Sequence, residues 1–469
     1  MIESKKLDTV LLEIMARWEI PGLGVGIVEN GQVAYARGFG VQSLETHTPV
    51  TPDSLFCVAS VTKCFVATAI LQLVEQGRLD LDAPLVAYLP EFRLDDERHR
   101  QITLRQVLSH TSGMPDMGER EYDELLAHPE FDEDAPARHL RSLAGRKMIA
   151  APGERFSYSN IGYNVLGVLI SRLTGKTFEA AMQENLLRPA GMTESTLFFP
   201  DIPRPRLAVP HLRTPEMTVN PVYPYHRADA PASFLHSSVR EMCAWSLACL
   251  DGGGRILSAA GFERMWTPVA EWGFPPLYEH TGLGWTLGHY EGVRTVSHGG
   301  MGFGWTDFLC LLPEKKSAIV ILCNEESYAR SRTIRAALHA VLGIEPVVDT
   351  VSWMIPLVRA WTSGGSPAAF ARYQEIKEDP DFYFDADDLL NLAYQMMCAK
   401  KFDPAIEFLE LNLRVFPGHV DSWLFLVELH LQKEARGAAE AALRKVLELD
   451  PGNARAAELL LTTGGPVAE

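Results

Sequence analysis

The strand-forming stretches of this chain lie at the two ends of a long segment, and that placement constrains the fold more than any single motif. Gly22–Glu29 and residues 32–38 read as strands joined by Asn30-Gly31. Asn-Gly favours a type I′ hairpin because both central residues take positive φ. Clear strand signals return only near Gly284, where 284–289 and 295–297 flank Tyr290-Glu291-Gly292, and 308–312 can pair with 317–324 across Pro313-Glu314-Lys315-Lys316. Leu7, Val10, Leu11, Ile14 and Met15 share one face at helical spacing, which predicts an opening helix. The stretch between, about 81–281, reads as mostly helical with Pro-rich loops. A sheet built from about 1–80 and 282–345, with an all-α subdomain inserted, satisfies both ends. The expected class is α+β, an antiparallel sheet flanked by helices.

Beyond Ile344-Glu345-Pro346 the character changes. Phe416-Pro417-Gly418-His419 and Asp450-Pro451-Gly452-Asn453 correspond, and Pro417 to Pro451 is a 34-residue step. That step aligns Leu389 with Trp423, Leu392 with Leu426, Ala405 with Ala439 and Leu409 with Leu443. Period and side-chain classes resemble tetratricopeptide repeats, with a degenerate unit around 368–380. The expected division is a domain over 1–345 and an all-α helical-repeat domain over 346–469. A length of 469 residues suits two or three domains.

The charge balance narrows the partners. With 43 Lys+Arg against 60 Asp+Glu, the net charge is −17. This disfavours nucleic acid, whose binders cluster positive charge, and anionic membrane surfaces. From Glu345 onward 20 acidic residues face 11 basic ones, so that segment holds −9 of the total. No apolar run approaches the ~18 residues of a membrane span, and the N-terminus lacks a secretory signal pattern. Seven cysteines without a Cys-x-x-Cys pair suit buried structural thiols and a cytoplasmic setting. No ligand cluster suggests a metal, and no cofactor is expected.

Three stretches carry chemistry. The first is Ser60-Val61-Thr62-Lys63, followed by residues 64–76, apolar nearly all round and so a buried helix. Three residues is close to one helical turn, so the Lys63 amine can reach the Ser60 hydroxyl. A serine needs a neighbour to take its proton, and burial depresses a lysine's pKa enough to do so. The tetrad is weak in isolation, since it arises about once by chance at this length. The second is Tyr158-Ser159-Asn160 after the turn Ala151-Pro152-Gly153-Glu154. A phenol beside a lysinium can serve as a base, and Asn160 can hold a substrate carbonyl. Alone, the stretch equally fits a half-buried tyrosine at a helix N-cap. The third is His298-Gly299-Gly300, whose glycines permit close backbone approach. The Met301 amide, with that of Ser60, could form an oxyanion hole. Alone, it also fits a strand-edge bulge.

Taken in chain order, the three resemble the serine β-lactamase and penicillin-binding-protein superfamily, and Tyr-x-Asn points to its class C β-lactamase-like and esterase branch. Val107-Leu108-Ser109-His110-Thr111-Ser112-Gly113-Met114, Pro189-Ala190-Gly191-Met192 and Gly282-Leu283-Gly284-Trp285 resemble further motifs of that branch. The resemblance covers about residues 7–342. It implies Ser60 as acylated nucleophile, Lys63 and Tyr158 as the acid/base pair, and Asn160 orienting the substrate. It also implies the Ser60 and Met301 amides as oxyanion donors beside Gly300. One departure stands out: His298 occupies the place of the lysine in Lys-Thr-Gly, which makes a weaker carboxylate site and argues against β-lactam resistance.

The expected function is a serine hydrolase cleaving an ester or amide, including peptide or D-aminoacyl compounds, with a small-molecule or peptide substrate. A second possibility is an acyltransferase or cyclising thioesterase using the same acyl-enzyme. A third is a scaffold that binds a protein partner through its helical repeats. Met114, Phe303 and Trp305 suggest an apolar acyl pocket, although core packing explains them equally.

Overall fold

The computed structural model describes residues 3–463 apart from 119–120, 122–124, 126–127, 253, 303, 327–328 and 348–349. The chain divides into two compact units, one made of 1–211 and 221–347, the other of 212–220 and 348–469.

In the first unit, eight strands form one antiparallel sheet: β1 (Gly22–Glu29), β2 (Gln32–Gly40), β3 (Ala270–Phe274), β4 (Tyr278–Thr281), β5 (Thr286–Tyr290), β6 (Val293–Gly302), β7 (Trp305–Leu312) and β8 (Ser317–Cys323). Their order is β2-β1-β8-β7-β6-β5-β4-β3. The two chain ends meet where β1 pairs with β8, Val25 opposite Ile321. Asn30 and Gly31 take φ of 51° and 74°, as the hairpin reading requires. The sheet exceeds the sequence expectation by β3 and β4, which fall in the stretch read as mostly helical. Gly273 and Pro275-Pro276 interrupt this hairpin and no period-2 alternation marks it, so its pairing with β5 becomes visible only in three dimensions.

Helices α1 (Ser4–Trp18), α2 (Thr62–Glu75), α3 (Asn160–Thr174), α4 (Val239–Leu250) and α5 (Arg330–Leu342) frame the sheet and the inserted helical region. α5 packs on β1, β7 and β8 and against α1, while α4 packs on β1, β2 and β8. α2 is the central element, with every residue from Thr62 to Leu71 buried. Phe65 on α2 stacks on Trp245 of α4 at 3.9 Å between centroids. A helix apolar on all sides is stable only when surrounded, and here it forms the floor of the candidate site.

The second unit is mostly helical: α6 (Met354–Ile376, interrupted at Gly364-Gly365), α7 (Ala386–Cys398), α8 (Phe402–Val415), α9 (Val420–Gln432), α10 (Arg436–Leu449) and α11 (Ala454–Thr463). α9 starts 34 residues after α7, and α10 starts 34 after α8. Asn412, fully buried, donates to the Ala386 carbonyl and the Ser422 hydroxyl, both at 2.8 Å, and so ties one helix pair to the next. Residues 212–220, which the sequence reading kept in the 1–345 segment, group with these helices. The Arg213 N–H donates to Gln395 Oε1 at 2.8 Å, and Lys401 Nζ to the Thr214 carbonyl at 2.7 Å. Among the described residues, no helix is long and apolar enough to cross a membrane.

Candidate active site

Ser60 sits in a single 3₁₀ turn, Ala59–Val61, that runs directly into α2. Ala59 has φ 41°, a left-handed conformation that costs an alanine about 1–2 kcal/mol. The surroundings hold it there: the Thr62 hydroxyl donates to the Ala59 carbonyl at 2.6 Å and accepts the Leu235 N–H at 3.1 Å. Strain retained at one turn is a recurrent property of reactive sites.

Lys63, 0% exposed, lies one helical turn along. Its amine donates to Ser60 Oγ at 3.0 Å, Asn160 Oδ1 at 2.7 Å and the Ala232 carbonyl at 2.8 Å. Those contacts use all three hydrogens of an ammonium. Burial lowers its pKa to about 7, against the opposing pull of Asp116 and Asp229. Of the three partners only Ser60 carries a hydroxyl hydrogen. A neutral Lys63 therefore directs its two hydrogens at the Asn160 and Ala232 oxygens, and its lone pair at Ser60.

Asn160 is the first residue of α3, whose N-cap Ser159 accepts the Gly162 N–H. Asp116 fixes its amide orientation. The Asn160 main-chain N–H and side-chain Nδ2 donate to the two Asp116 carboxylate oxygens, each at 2.9 Å, which turns Oδ1 toward Lys63. Tyr158 comes two residues earlier, with burial raising its pKa and the neighbouring Ser60 hydroxyl opposing that rise. Lys63 Nζ stands 4.9 Å from its ring centroid. His110 stacks on the ring at 4.2 Å, and its Nδ1 accepts the Ser159 N–H at 3.1 Å. Burial and the Lys63 charge hold His110 neutral.

β6 closes the site. A Cβ on Gly300 would lie 2.6 Å from the Val58 carbonyl oxygen and 3.3 Å from the Ser60 nitrogen, so only glycine lets the strand approach the serine turn this closely. His298 is 4% exposed, and burial lowers its pKa to about 3, with Lys63 adding to the effect. Its Nδ1 donates to the Gly299 carbonyl at 2.8 Å, which leaves Nε2 as an acceptor. Met301 is 61% exposed, so any contribution of this residue to an oxyanion hole would come from its amide.

The structure thus joins Ser60, Lys63 and Asn160 by hydrogen bonds, with the Tyr158 ring beside Lys63 and Gly300 against the serine turn. Met114 and Trp305 are fully buried core residues, and Phe303 lies outside the described residues. Sequence reasoning missed Asp116, two residues beyond the motif ending at Met114, because its partner Asn160 is 44 positions away. It also missed Asp229, buried and receiving a hydrogen bond from Asn164 Nδ2, whose pKa burial raises to about 7. Among the described residues no cluster of three or more His, Cys, Asp or Glu side chains could hold a metal.

Protein flp of Staphylococcus aureus is 25% identical over 326 residues, 69% of this chain and 63% of that protein. The unguisins hydrolase ungD' of Aspergillus campestris is 28% identical over 355 residues, 72% of this chain and 65% of that protein. The chain therefore spans just under two thirds of the length of these relatives. Among solved structures, the octameric penicillin-binding protein homologue from Pyrococcus abyssi superposes with a TM-score of 0.65 at 28% identity, over 74% of this chain and 78% of that one. The Beta-lactamase family model matches residues 7–343, from α1 through α5, and the chain belongs to that family.

Proposed function

We propose that the first unit is a serine hydrolase that cleaves an ester or amide through an acyl-enzyme on Ser60. The observation that carries this reading is the three-way environment of Lys63, which leaves its lone pair facing Ser60 Oγ. In the proposed course, Lys63 is the first base and takes the Ser60 proton as Oγ bonds to the substrate carbonyl carbon. The oxyanion is held by the Ser60 and Met301 amides, donors of a kind worth about 3–4 kcal/mol each in other enzymes. The bond to the leaving group breaks as Tyr158 protonates the departing oxygen or nitrogen, and the proton held by Lys63 returns to Tyr158. Water then attacks the ester under base catalysis by the same pair, and Oγ leaves as a hydroxyl. Asn160, its amide held by Asp116, orients the substrate. His298, neutral and accepting at Nε2, replaces a cationic carboxylate anchor with a hydrogen-bond acceptor.

The protonation states support Lys63 rather than Tyr158 as the initial base, because burial lowers the lysine and raises the phenol. The test is intact-mass analysis after incubation with a fluorophosphonate and a panel of esters and aminoacyl amides. Wild-type protein should gain one adduct on Ser60 and Ser60→Ala none. Wild-type protein that stays unlabelled while turning over esters would exclude the proposal.

For the second unit we propose a tetratricopeptide-like partner-binding role, supported by the 34-residue recurrence of its helices. None of the seven cysteines is held in a disulfide, which supports the proposal of a reducing, cytoplasmic setting.

A further inference from the structure

The β3–β4 hairpin brings a tryptophan to the candidate site. Trp272 on β3 is half-buried, while Glu271, Gly273 and Phe274 beside it are exposed, so the side chain is not part of a hydrophobic core. Its ring neighbours include Tyr158 of the site at 6.2 Å, with Phe156 at 4.8 Å and Tyr278 at 5.4 Å between centroids. Tyr278 is held in turn, its hydroxyl accepting from Arg330 Nη2 at 2.6 Å. That guanidinium occupies room left by Gly299, where a Cβ would come within 1.7 Å of Nη2. A wall of three aromatic rings thus begins at Tyr158 and is braced from β6 and α5.

We infer that Trp272 is a specificity-determining residue and that the preferred substrates are esters or amides whose leaving group carries an aromatic ring. The inference rests on the reading of Ser60 as nucleophile and Tyr158 as proton donor to the leaving atom. To protonate that atom, Tyr158 must touch it. Whatever is attached to the atom then extends from the Tyr158 ring, which Trp272 neighbours at 6.2 Å with Tyr278 behind it. His110 stacks at 4.2 Å on one face of Tyr158 and closes it to substrate. An aromatic alcohol or amine meets rings in offset or edge-on contact there, and a short aliphatic one leaves the wall unpartnered.

The test varies one side of the scissile bond at a time. Benzyl and ethyl butyrate share an acyl group and differ in the leaving group, and kcat/KM reports the steps through acylation. Wild-type enzyme should favour the benzyl ester. Trp272→Ala should lower the benzyl-to-ethyl ratio of kcat/KM roughly ten-fold, the scale of discrimination by one apolar pocket wall, and Trp272→Phe should restore most of it. A second series with a fixed alcohol and varied acyl groups should keep its selectivity order in Trp272→Ala. An unchanged benzyl-to-ethyl ratio, or a change that tracks the acyl series instead, overturns the inference. Labelling by a small fluorophosphonate separates the two levels. A wild-type protein that does not label removes the serine-hydrolase reading. Normal labelling with unaltered selectivity in Trp272→Ala removes only the role given to Trp272.

Discussion

Replacing Asp116 with asparagine should weaken catalysis through Asn160, a residue the substitution leaves in place. The carboxylate accepts two hydrogen bonds from Asn160, at 2.9 Å to the main-chain N–H and 2.9 Å to Nδ2. An amide at position 116 offers one oxygen and one NH₂, so it can accept only one of them. Either Asn160 Nδ2 faces another donor, or the Asn160 amide flips and turns its NH₂ toward Lys63 Nζ, where Oδ1 now accepts at 2.7 Å. Each outcome loses one hydrogen bond to a charged group, about 1.5–3 kcal/mol. At ~1.4 kcal/mol per decade this is a fall of roughly 10- to 150-fold in kcat/KM. A second effect separates this from simple damage. Asp116 raises the pKa of Lys63, which burial has brought down to about 7. Without the carboxylate that pKa falls further, and the acidic limb of the kcat/KM profile, set by deprotonation of Lys63, should move to lower pH. The assay is kcat/KM for one p-nitrophenyl ester across pH 5–9 in wild type and Asp116→Asn, with melting temperatures as a folding control. A variant within about two-fold of wild type and an unmoved acidic limb would show that the Asp116–Asn160–Lys63 chain does not tune the base.

Three further outcomes follow from the same geometry. Gly300→Ala places a Cβ 2.6 Å from the Val58 carbonyl oxygen, so β6 must draw away from the serine turn; kcat should fall at least about ten-fold with circular dichroism unchanged, and a wild-type kcat would refute the close approach. His298 is held neutral by burial, with its pKa lowered to about 3, so His298→Gln should alter the height of the pH–rate profile but not its limbs; loss of a limb near pH 6–7 would assign that limb to His298. Asp229, raised to about 7 by burial, contributes stability that is fully present below the ordinary carboxylate pKa of about 4 and is lost as pH rises through 7. Asp229→Asn keeps an oxygen for Asn164 and cannot ionise, so its melting temperature relative to wild type should rise from pH 5 to pH 8. A difference that is flat or falls with pH would contradict the buried, protonated carboxyl.

Much of this was legible in the linear chain, for identifiable reasons. The Asn30-Gly31 hairpin, the all-round apolar helix after Ser60 and the 34-residue recurrence near the C-terminus are local signals, encoded within a turn, a helix or a repeat. Ser60 and Lys63 were readable together because one helical turn brings them within reach. The β3–β4 hairpin was not, since Gly273 and the two prolines hide its alternation. For Met114 and Trp305 the sequence left an acyl pocket and core packing equally open, and burial places both in the core.

By itself, then, the sequence determined the sheet built from both ends of a segment, the apolar helix under the serine, and the residue types gathered at the candidate site. Tertiary structure alone decided the orientation of the Asn160 amide, the direction of the Lys63 lone pair and the placing of Trp272 against Tyr158. Each of these depends on groups tens to over a hundred residues apart: Asp116 with Asn160, Ala232 with Lys63, and Trp272 with Phe156. Side-chain periodicity records only which face of an element is buried. Which partner fills that face, and therefore which protonation state and which substrate shape the site favours, is set by the packing of distant elements on one another.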